Sequence, residues 1–111
     1  MYKIKEMPKD DRPRERLINF GVEHLSNEEL LAIVLKTGTK DVSVKELSNM
    51  ILSKIGGMKK LGSMNYQMLI SVPGIGSAKA CTLMAIVEIA KRISQTWTSI
   101  HNVSIKSANI A

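Results

Sequence analysis

Apolar residues recur at three- and four-residue intervals along residues 13–95, and the pattern is cut by short glycine-bearing polar turns. That period predicts helices rather than strands. A first helix is expected to start at Pro13, which suits the first turn, and to stop before Gly21, with Leu17, Ile18 and Phe20 turned to the core. Ser26 and Glu29 have the spacing of a capping box ahead of Leu30, Leu31, Ile33, Val34 and Leu35, so a helix should run from there through Lys36. The polar turn Thr37-Gly38-Thr39-Lys40-Asp41 follows, then a second box at Ser43 and Glu46 and a helix to Ile55. Residues 58–62 read as a short connecting helix, and Asn65 caps another that carries Met68, Leu69 and Val72 inward. The final helix should run from Ser77 to about Gln95. Between Ala80 and Ala90 only Thr82 and Glu88 are polar, the pattern of a buried central helix. From Thr96 the composition becomes polar and β-prone. The division that results is 1–22, a basic arm and first helix; 23–95, a helical domain; and 96–111, a linker or the start of a further domain.

The stretch from Leu69 to Lys79 organises the rest. A short apolar segment reaches Pro73, turns through Gly74-Ile75-Gly76 and enters the final helix at once. The two glycines are expected to supply positive φ and an approachable backbone, and Ile75 to pin the turn to the core. The free amides of a helix start come next, at the positive end of its dipole. Together these make a phosphate cradle, with Gly74, Ile75, Gly76 and Ser77 as its backbone and Lys79, exposed on the first turn, as its cation. The competing reading is a tight helix corner that binds nothing or docks a protein. Residues 27–55 repeat the helix–glycine turn–helix order of residues 65–94 imperfectly. Gly38, Thr39 and Lys40 there are candidates for a second phosphate, and a purely structural turn explains them equally well.

Charge and composition sharpen this picture only in part. The 111 residues make one small domain, 44% hydrophobic with only four aromatics, a mixture that favours helices over a β-sandwich. A net charge of +6 suits an anionic partner or simple solubility. A single Cys81 among apolar residues fits a reducing compartment and a small core residue rather than a nucleophile. Met64, Met68 and Met84 read as packing filler. No stretch approaches the length of a membrane span and the first residues lack a signal-peptide pattern, so a cytoplasmic protein without a membrane partner is expected. The sequence offers no paired carboxylate, triad or metal-ligand cluster; His24 and His101 have no partner at ligand spacing. An enzyme is not expected in these residues.

Val72, Pro73-Gly74-Ile75-Gly76 and Ala80 match the helix-hairpin-helix motif in full, and two such units joined by a short helix resemble the tandem helix-hairpin-helix domains of DNA repair proteins. A more particular resemblance covers roughly residues 4–93. Met7-Pro8, Arg12-Pro13-Arg14-Glu15-Arg16-Leu17, Gly21, Leu25-Ser26 with Glu29-Leu30-Leu31, Thr37-Gly38, Gly74-Ile75-Gly76, Lys79-Ala80 and Glu88 with Lys91-Arg92 are similar to the amino-terminal domain of the RadC family. The resemblance implies an all-α tandem helix-hairpin-helix bundle of five or six short helices. It also implies a sequence-independent grip on duplex or branched DNA, with no resident cofactor beyond a monovalent cation at the hairpin carbonyls. Family members continue into a JAB/MPN metalloprotease-like domain whose zinc signature is missing from these residues. The alternative function is therefore a scaffold that docks such a partner domain.

Overall fold

A computed structural model describes residues 12–110, with side chains described for residues 12–100. The arm lysines Lys3, Lys5 and Lys9 lie outside the described residues. Among those described, the fold is all-α, with no strand: α1 (Pro13–Phe20), a 3₁₀ turn (Val22–His24), α2 (Asn27–Leu35), α3 (Val44–Ile55), α4 (Met58–Leu61), α5 (Tyr66–Ile70) and α6 (Ser77–Ile110).

Local chemistry sets most of these boundaries. The Ser26 hydroxyl accepts from the Glu29 amide at 3.2 Å, and the Glu29 carboxylate accepts from the Ser26 amide at 3.0 Å, a closed capping box at the start of α2. The Ser43 hydroxyl accepts from the Glu46 amide at 3.1 Å to start α3, and Asn65 Oδ1 accepts from the Met68 amide at 2.8 Å to start α5. Pro13 takes the first position of α1, where its missing N–H costs nothing.

Two helix–turn–helix pairs, α2–α3 and α5–α6, share one core. Leu31 and Leu35 of α2 meet Leu47 and Ile51 of α3, Leu61 of α4, Leu69 of α5, and Ala80 and Leu83 of α6. The buried Ser48 hydroxyl donates to the Val44 carbonyl at 2.7 Å, so its one polar group is satisfied.

Several expectations need correction. The final helix continues past Gln95 to Ile110, because nothing between Ala78 and that point is glycine or proline. Threonine and isoleucine lower helix propensity by less than about 1 kcal/mol each, too little to stop a helix already propagating. Nor is α6 the buried centre. Its core contact is made near its start by Ala80, Leu83 and the half-buried Val87, while Ile89, Ile93 and Ile100 are exposed. Cys81 is exposed rather than core, as are Met68 and Met84, and only Met64 packs against the core. On α1, Ile18 and Phe20 face outward, and Arg16 covers the Phe20 ring at 5.8 Å.

One tie between α1 and α2 went unread in the sequence. Arg16 Nε lies 2.6 Å from Glu29 Oε2, with the carboxylate almost wholly buried; the N–H is not aligned for a hydrogen bond, so the contact is an ion pair. Burial alone would raise the Glu29 pKa, but the Ser26 hydrogen bonds and the Arg16 charge outweigh it, and the group sits below its ordinary value of 4.5.

Candidate nucleic-acid interface

The turn between α5 and α6 is closed by its own backbone. The Val72 amide donates to the Leu69 carbonyl at 3.1 Å, and the Ile75 amide to the Val72 carbonyl at 3.0 Å. Ile75 is buried and anchors the turn, as its apolar side chain implied. The two flanking glycines have different jobs. Gly74 has φ +94°, and a Cβ there would come within 2.6 Å of Leu47 Cδ1 and 3.2 Å of Thr39 Cγ2. Gly76 is not at positive φ, contrary to expectation, and a Cβ there would meet nothing within 4 Å. The first glycine is required by the fold; the second is required by nothing in it.

Gly76 offers its carbonyl to the Ala80 amide at 3.0 Å, so α6 begins at Ser77 with its first amides turned outward along the helix axis. Its first turn holds no acidic residue. Lys79 was expected to be exposed; it is half-buried, and its Nζ donates to Thr37 Oγ1 at 3.1 Å. That bond joins the two glycine turns.

The first turn is built differently. A Cβ on Gly38 would collide with the Val42 carbonyl oxygen and lie 2.6 Å from the Ser43 carbonyl carbon, so glycine is needed there for the loop to fold back. The Thr39 amide donates to the Val42 carbonyl at 2.9 Å, and its hydroxyl accepts from the Asp41 and Val42 amides at 3.3 and 3.1 Å. These groups are engaged in holding the loop. Lys40 is exposed at its tip beside exposed Asp41.

Sequence reasoning also missed Lys36. It has φ +69° and ψ −48°, and the Thr37 amide donates across it to the Leu35 carbonyl at 2.8 Å. This is a γ-turn of the strained, positive-φ kind, and it aims Thr37 at Lys79. No residue type in that stretch signals it. Lys36 also borders a cleft of about 570 Å³ between α1 and α2, whose wall includes Arg12, Arg14 and Glu15.

The structure thus brings Gly74 against Thr39 and Lys79 against Thr37, so the two turns meet, with Lys79 at their junction and Lys40 exposed on the first of them. Groups of three or more His, Cys, Asp or Glu able to hold a metal are absent among the described residues. No helix of the described chain is long and apolar enough to cross a membrane.

Comparison with known proteins places this chain in a family. Residues 4–81 match the UPF0758 N-terminal family. A UPF0758 protein of Bacillus velezensis is 46% identical over 99 residues, which is 89% of this chain and 43% of that protein. A UPF0758 protein of Clostridium botulinum is 43% identical over 91 residues, 82% of this chain and 40% of its own. The chain therefore spans about two fifths of the length of these curated relatives. No solved structure matches it.

Proposed function

Since the chain belongs to the UPF0758 family, the RadC-like family whose amino-terminal region its Arg-Pro-Arg-Glu-Arg-Leu block resembles, we propose that it is a sequence-independent DNA-binding module of the helix-hairpin-helix kind. The amides of Gly74, Gly76 and Ser77 hold a backbone phosphate at the start of α6, and Lys79 supplies the charge. The observation that carries this reading is Gly76: its missing side chain leaves open space outside the fold, which an approaching phosphate would use. Ile75 acts as the anchor, because its amide is already donated to Val72. On the neighbouring turn Gly38 and Thr39 shape the loop, and Lys40 contributes charge toward the second strand.

A monovalent cation belongs to the same family expectation. The Val72 and Gly76 carbonyls each accept one internal amide and keep a second lone pair, so their chemistry fits such an ion.

A second reading is favoured by the engaged amide and hydroxyl of Thr39, which leave the first turn with less to offer a phosphate. Under it the domain docks a JAB/MPN-like partner domain and does not touch DNA. A salt-dependent titration with short duplex, single-stranded and branched DNA separates the two. Roughly three to five phosphate contacts predict a log–log salt slope of about −3 to −4 with little sequence preference. A flat salt response, or no binding at low salt by folded protein, supports docking instead.

A further inference from the structure

The middle of α6 carries an apolar stripe that the phosphate-binding reading does not use. Ile86, Ile89, Ile93, Trp97 and Ile100 are 38%, 55%, 63%, 58% and 63% exposed. At about 100° per residue they fall within an arc of roughly 80° on one side of the helix. Ala80, Leu83 and Val87, which seat α6 on the core, lie on a different face, about 110° away at the same pitch. Glu88, Lys91, Arg92 and Gln95 fall outside the stripe, and Arg92 Nε is bonded to Glu88 Oε2 at 2.9 Å. Between Ile86 and Ile100 no charged residue lies inside the arc. Small residues, Ala90 and Thr96, border it on either side.

The spacing within the stripe is 3, 4, 4, 3, which reads the same in both directions. A second helix of the same sequence, laid antiparallel about Ile93, therefore meets it residue for residue: Ile86 opposite Ile100, Ile89 opposite Trp97, and Ile93 opposite itself. A twofold axis through such a face gives the self-complementary contact of a closed dimer. Scaled to whole side chains, the exposed parts of these five residues amount to about 600 Å² per chain, or about 1,200 Å² in a pair. That reaches the lower end of what a specific interface buries, before the bordering residues are counted.

We propose that this face of α6 is the interface between two copies of the chain, paired antiparallel about Ile93. The arrangement sets the two globular ends, with their glycine turns, at opposite ends of the paired helices.

Sedimentation equilibrium across a concentration series tests it. The wild-type chain should move from 12.3 kDa toward twice that mass as concentration rises into the high micromolar range. Ile93→Glu, at an exposed position, should keep the wild-type circular dichroism spectrum and remain monomeric; Ile100→Glu repeats the test should the first variant misfold. Register is read by disulfide trapping in a Cys81→Ser background. Ile93→Cys should link to itself, and Ile86→Cys should link to Ile100→Cys in a mixture but not to itself. A wild-type chain that stays monomeric throughout, or a folded Ile93→Glu that dimerises normally, overturns the proposal. Self-linking by Ile86→Cys overturns the antiparallel register.

Discussion

An alanine at position 74 would have to hold φ near +94° while its methyl group entered a space already occupied by Leu47 Cδ1, 2.6 Å away. The first demand costs an L-residue about 1–2 kcal/mol. The second cannot be relieved outward, because Leu47 is 1% exposed and sits among Leu31, Ile51 and Leu69 in the core. Overpacking of this sort costs about 1–3 kcal/mol. Gly74→Ala should therefore destabilise the domain by about 2–5 kcal/mol, which lowers the melting temperature by at least about 8 °C for a domain of this size. Gly76→Ala is the control. Its methyl group meets nothing within 4 Å, and the change at this helix-capping position should cost no more than about 1 kcal/mol. Urea denaturation followed by far-UV circular dichroism gives both numbers. Should Gly74→Ala prove no more destabilising than Gly76→Ala, the different roles given to the two glycines would be wrong.

Other expectations follow from the same contacts. Glu29→Gln should cost about 1–3 kcal/mol by leaving Arg16 without its buried counter-charge, measured by thermal melting. The folded Glu29 carboxyl titrates below its ordinary 4.5, so its contribution is complete above that value and is lost as pH falls through the lower folded pKa. A melting profile against pH should show that acid-side loss in the wild type and a smaller one in Glu29→Gln. Lys36→Gly relieves the positive φ at the end of α2 and should stabilise the domain by about 1 kcal/mol in urea titration; destabilisation would deny the strained turn. Lys79→Glu loses one exposed bond to Thr37 and should stay within about 1 kcal/mol of wild-type stability. Its DNA binding should fall further than that of Lys79→Gln, and equal binding by both would remove Lys79 from the interface.

Much of the fold could be read from residues that act locally. Ser26 with Glu29, Ser43 and Asn65 announced three helix starts because a cap works within one turn of chain. Ile75 between two glycines announced a buried turn because an apolar side chain there has little other use. What failed was whatever depended on distant partners. An apolar helix looks buried in sequence, yet α6 meets the core through the face of Ala80, Leu83 and Val87, and its exposed isoleucines look the same as core ones until the packing is known. The Arg16–Glu29 pair was hidden because Glu29 already had a sufficient local explanation as a cap, and nothing in the spacing ties it to a residue thirteen positions earlier. Lys36 was hidden because lysine gives no sign of positive φ. At the candidate interface, the sequence placed Gly74 and Lys79 on one turn, but Thr37 and Thr39 joined them only through tertiary packing.

The central claim is that backbone amides at the start of α6 hold a phosphate, and amide-resolved NMR tests it most directly. A ¹⁵N-labelled chain would be titrated with a short duplex at low salt. The account predicts that the Gly74, Gly76 and Ser77 amides shift first and most, that the buried Ile75 amide moves less, and that Gly76→Ala abolishes the pattern while the protein stays folded. Unmoved amides at 74, 76 and 77 while DNA is bound, or binding retained in full by Gly76→Ala, would contradict it.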